Sequence, residues 1–94
     1  MEKFIKSYRG WIIVQQEERE YDILSKEYTM IDGKRSYYPL YCYNEYMEPQ
    51  TFYDEESAER YIDEYLKGTT HRMEIRILNG REVSNVPVRM SRPI

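Results

Sequence analysis

Apolar and polar positions repeat at two periods along the chain, and the change of period marks the elements. The helical period is the clearest. Ala58, Tyr61, Ile62, Tyr65 and Leu66 fall at i, i+3, i+4, i+7 and i+8, with Glu59, Arg60, Asp63, Glu64 and Lys67 between them. That spacing lays one apolar stripe along about three turns. Asp54 is placed to cap the free amides at the start, and Glu55 and Glu56 sit in the first turn, where the helix dipole favours negative charge. A basic Lys67 and then Gly68 supply the stop. The spacing predicts an amphipathic helix over 55–67, with its stripe buried.

Elsewhere the period shortens to two. Residues 4–16, with Trp11-Ile12-Ile13-Val14 at their centre and Gly10 permitting a bend, predict a first strand. Acidic residues 17–20 mark a polar turn. Residues 21–30 alternate imperfectly and predict a second strand with a bulge near Ser25-Lys26. Asp32-Gly33 is a hairpin signal, because both residues tolerate the positive φ of a tight turn. In the strand that follows, Leu40 and Cys42 share one face while Tyr41 and Tyr43 share the other, and Pro39 argues for an edge or a bulge. Residues 44–53 read as a connection, with Thr51-Phe52-Tyr53 as a short strand leading into the helix. After the helix, Met73, Ile75 and Ile77 alternate with charged residues, and a loop at Asn79-Gly80-Arg81 leads to a last strand through Val83, Val86 and Val88. The sum is a single α+β domain over 1–94, with 89–94 a loosely held tail. Its expected form is a small antiparallel sheet of four to five strands in the order β-β-β-α-β-β, with one helix packed on a face.

Charge changes the picture more than length does. The 94 residues carry a formal net charge of −3, but 1–66 hold 15 acidic against 8 basic side chains, and 67–94 hold 2 against 6. An acidic body and a basic end follow, a matter of steering toward partners and not of fold. Tyrosine is over-used, 11 residues against 2 Phe and 1 Trp, and suits half-buried positions with a packed ring and a wet hydroxyl. Cys42 is the only cysteine, so no disulfide staples the core, and with no apolar run of signal or membrane length near the start the expected location is cytoplasmic.

Motifs for chemistry are scarce. One histidine, His71, and one cysteine leave no metal spacing, and the four glycines, at 10, 33, 68 and 80, form no phosphate loop. No cofactor is expected. Cys42 with His71, or carboxylates such as Glu55, Glu56 and Glu59, are the remaining candidates for enzyme chemistry, and each reads more simply as a core thiol, a strand-end histidine or a capped and solvated helix start. An enzyme is therefore the third reading.

The first is a non-enzymatic interaction module, an inhibitor or adaptor, that binds another protein or a second copy of itself by occlusion. Tyr37, Tyr38, Tyr41, Tyr43 and Tyr46 are too many for the inside of one small sheet, and Tyr with Arg is the usual composition of a contact hot spot. The acidic residues at 17–22 would steer it toward a basic target. The alternative is nucleic-acid binding through Arg72, Arg76 and Arg81, with Glu74 interrupting the stripe. No named family's motif is matched residue by residue. The tyrosine-rich meander followed by the run Asp54–Leu66 resembles small microbial and phage proteins, some of which inhibit host defence nucleases, and that resemblance implies a binding role.

Overall fold

The structure, a computed structural model, describes residues 2–68 and 71–76. Five strands and one helix follow in the order β1 (Lys3–Tyr8), β2 (Trp11–Glu17), β3 (Glu20–Ile31), β4 (Lys34–Tyr43), α1 (Glu55–Leu66) and β5 (Arg72–Ile75). The strands lie side by side in sequence order, every neighbouring pair antiparallel. The predicted class holds: α+β, one five-stranded antiparallel sheet, one helix on it. The stretch 4–16 expected as one strand is a hairpin, because Arg9 (φ 49°) and Gly10 (φ 101°) both enter the left-handed region and reverse the chain. Asp32 (φ 52°) and Gly33 (φ 75°) do the same between β3 and β4. The loop at 79–81, the last strand and the tail at 89–94 lie outside the described residues.

The helix forms as its sequence dictates. Asp54 accepts the Ser57 backbone N–H at 2.7 Å, and Gly68 takes φ 81° just past the end. Its buried residues are Ala58, Tyr61 and Ile62, which meet Ile13, Ile23, Leu40, Cys42 and Phe52 in one core cluster. Leu66, expected in the buried stripe, is 43% exposed, while Tyr65 sets its ring edge-on to Trp11 at 5.7 Å. The stripe therefore ends one position early, at Tyr65. Polar contacts tie the helix to β1: Lys6 bridges Glu55 (3.0 Å) and Glu59, and Arg9 reaches Asp63 at 2.7 Å.

A second cluster occupies the opposite face. Ile12, Val14, Leu24 and Tyr37 are without exposed surface there, with Phe4 and Tyr28 packed against them. A run such as Ile12-Ile13-Val14, buried at every position, requires cover on both sides of the sheet. The bulge expected near Ser25-Lys26 lies between Leu24 and Tyr28, and the Ser25 hydroxyl holds it by accepting the Glu27 N–H at 2.8 Å. Alternation along β4 puts Tyr37 on this face, and the bulge, by shifting the register, sets Tyr28 opposite it.

Candidate functional site

Beyond Leu24↔Pro39 the register of β3 and β4 stops, although both strands continue. Each finds another neighbour. Asn44 folds the chain back in a tight turn, its side-chain oxygen accepting the N–H groups of Tyr46 and Glu48, each at 2.9 Å. The returning segment then runs into the gap. Gln50 N–H donates to the Cys42 carbonyl (2.8 Å), and Tyr21 N–H donates to the Phe52 carbonyl (2.9 Å). The expected short strand at 51–53 is reduced to one bridge, Tyr21↔Phe52, with a second, Tyr43↔Pro49, shortly before it. Phe52 turns its ring to the helix side, edge-on to Tyr61 at 5.2 Å.

The splayed strand ends enclose a cleft of about 220 Å³ lined by Glu20, Asp22, Tyr41, Tyr43, Gln50 and Arg76 among others. Strand alternation puts Glu20 and Asp22 on the face away from the helix, as it does Tyr41 and Tyr43. Tyr41 and Tyr43 stack at 6.4 Å between centroids, inclined 29°, and the Arg76 guanidinium lies over Tyr41 at 4.6 Å. Arg76 also donates its backbone N–H to the Pro39 carbonyl (2.7 Å) and reaches the Leu40 carbonyl with its side chain (3.4 Å). Asp22 accepts from the Gln16 amide at 3.2 Å.

One hydroxyl holds this end of the molecule together. Tyr61 accepts the Tyr43 N–H at 2.9 Å and directs its own proton at the carbonyls of Tyr43 and Arg72, the latter at 2.8 Å. The end of β4, the start of β5 and the helix thus meet at one atom. His71 stacks on the same ring, 4.7 Å away and inclined 13°.

Of the five tyrosines expected on one contact surface, the structure brings two together. Tyr41 and Tyr43 share a face, half-buried. Tyr37 is a correction: it has no exposed surface, since it packs with Ile12, Val14 and Leu24 in the second cluster on the buried centre of that face. Tyr38 alternates to the helix side with Leu40, and Tyr46, 75% exposed, stands apart on the Asn44 turn. Arg72 opens β5 and Arg76 follows its last residue, with Glu74 between them, to which Arg72 is paired at 3.4 Å. These two form no continuous basic strip. Arg81 lies outside the described residues. The sequence reading missed Asp22, Glu20 and Gln50 as cleft residues. Their signal was two adjacent strands that each carry a ladder breaker, the bulge at 25–27 and Pro39.

Enzyme chemistry finds no support at the expected positions. Burial pushes the Cys42 thiol up to about 12, so it stays protonated and unreactive. Glu55 and Glu59 are taken up by Lys6. Among the described residues no group of three or more His, Cys, Asp or Glu is placed to hold a metal, and no helix is long and apolar enough to cross a membrane. Comparisons with protein-family models, curated proteins and solved structures give no match to this chain.

Proposed function

We propose that this protein is an interaction module that acts by binding and occlusion, without making or breaking bonds, through the splayed end of its sheet. The observation that carries the reading is the stacked Tyr41–Tyr43 pair with Arg76 laid over it, beside a cleft. Aromatic rings with an apolar body and a polar tip, next to a stacked arginine, are the residues that dominate contact energies, and a neighbouring concavity gives a partner side chain somewhere to go. The contact surface is narrower than the whole reverse face of the sheet, whose centre is buried. Arg72 and Glu74, a paired set on the same face, form its rim.

Position 43 is the place to test this. A photo-crosslinking phenylalanine analogue at Tyr43, with the same analogue at exposed Tyr53 as control, is irradiated in the cell that makes the protein. Recurrent protein adducts from position 43 and none from position 53 are expected, and an adduct of twice the mass identifies a second copy as the partner. Equal labelling from both sites, nucleic-acid adducts alone, or no adduct at 43 overturns the proposal.

A further inference from the structure

Resting on that reading, we infer that the cleft takes one cationic side chain, the guanidinium or ammonium of an arginine or lysine presented by the partner protein. Its geometry is the ground for this. Had β3 and β4 continued in the register of Leu24↔Pro39, Asp22 would lie opposite Tyr41 and Glu20 opposite Tyr43. The strands part instead, the segment 49–52 enters between them, and the two acids from β3 and the two rings from β4 all line the cleft that results. A carboxylate on one lip and a phenol ring on the other is the combination that suits a cation on an alkyl stem: the acid supplies charge, and the π-face covers the stem and attracts the head group.

Charge accounting favours a cation over an anion. Glu20 and Asp22 take part in no ion pair among the described residues. Among the described residues the cation lining the cleft is Arg76, which lies over the Tyr41 ring and reaches the Leu40 carbonyl. That contact also demonstrates, within this chain, that a guanidinium lies well over a ring of this pair. Size selects a single side chain, because 220 Å³ falls below the roughly 300–1,000 Å³ of pockets that enclose drug-sized ligands. The two carboxylates, in no ion pair among the described residues, also give a basic partner a field to follow on approach.

The probe is the peptide acetyl-Gly-Arg-Gly-amide, titrated into the full-length ¹⁵N-labelled protein and followed by amide chemical shifts. Its control is the citrulline peptide, of the same shape without the charge. Shifts are expected at Glu20, Asp22, Tyr41, Tyr43 and Gln50, absent with citrulline and weakened about tenfold or more by Asp22→Asn and by Glu20→Gln. Each variant's own spectrum verifies that it is folded. Equal shifts from the citrulline peptide, shifts spread over the helix acids Glu56 and Glu64 without the cleft, or none at millimolar peptide overturns the inference. Protein adducts from position 43 with a silent peptide titration leave the interaction module standing and remove its cationic ligand. Peptide binding without such adducts does the reverse.

Discussion

Removing one oxygen atom, by Tyr61→Phe, tests the account of how this end of the molecule is held. The ring stays, and with it the contacts to Phe52 at 5.2 Å and His71 at 4.7 Å. What goes is the acceptor for the Tyr43 N–H and the donor to the Tyr43 and Arg72 carbonyls. Tyr61 is 5% exposed, so water has little room to replace the hydroxyl. A buried polar group left without a partner costs about 1–3 kcal/mol, and at least one donor and one acceptor are orphaned together, which gives a loss of about 2–6 kcal/mol. For a domain of this size each kcal/mol moves Tm by about 4–8 °C. Urea unfolding followed by circular dichroism reads the change directly, with an unaltered slope showing that the unfolded state is the same. Amide exchange at Tyr43 should accelerate in parallel.

The same chemical change at Tyr37 has the opposite expectation. Its hydroxyl is buried without a hydrogen-bond partner among the described residues, so Tyr37→Phe deletes only a desolvation cost and should leave stability equal or raised by about 1 kcal/mol. Two identical deletions with opposite outcomes isolate the hydrogen bonds from the rings. Equal effects from both variants, or a Tyr61→Phe protein within about 0.5 kcal/mol of wild type, would refute the reasoning.

Two further outcomes follow from the packing of the helix. Ile62→Ala should cost about 2–5 kcal/mol, since Ile62 has no exposed surface. Leu66→Ala, at a 43% exposed position, should stay within about 0.5 kcal/mol in the same urea assay. The Arg9 guanidinium, and then the Tyr8 hydroxyl, hold the Asp63 carboxyl below its usual 3.8. A carboxylate that binds its proton less tightly when folded contributes stability above its unfolded value and loses it as pH falls through the folded one. The stability difference between wild type and Asp63→Asn should therefore shrink on acidification below about pH 4; a difference that stays constant down to acid unfolding would count against this ion pair.

How much of this was legible beforehand depended on whether the cause was local. The helix was, because Asp54, the stripe and Gly68 are each read within one turn of where they act. So was the Asp32-Gly33 reversal, and the bulge near Ser25, which broken alternation announces. The reversal at Arg9-Gly10 was hidden by an arginine in a left-handed conformation, which arginine seldom adopts. Tyr37 was misplaced for a different reason. Whether a strand's second face is covered is a tertiary fact, though four apolar residues in succession at Trp11–Val14 already hinted that both faces of the sheet are. The cleft was least legible, since it exists only because residues 49–52 intrude between two strands some distance away in sequence.

Because the strands are buried at the middle on both faces, the contact proposed above falls at their margin. A footprint confined to one splayed corner is small beside the roughly 800 Å² per partner of a standard interface. Whatever affinity such a corner achieves must be concentrated in a few anchors. Under the proposed reading such recognition is brittle, since the loss of one anchor in the opposing molecule removes a large share of the contact energy.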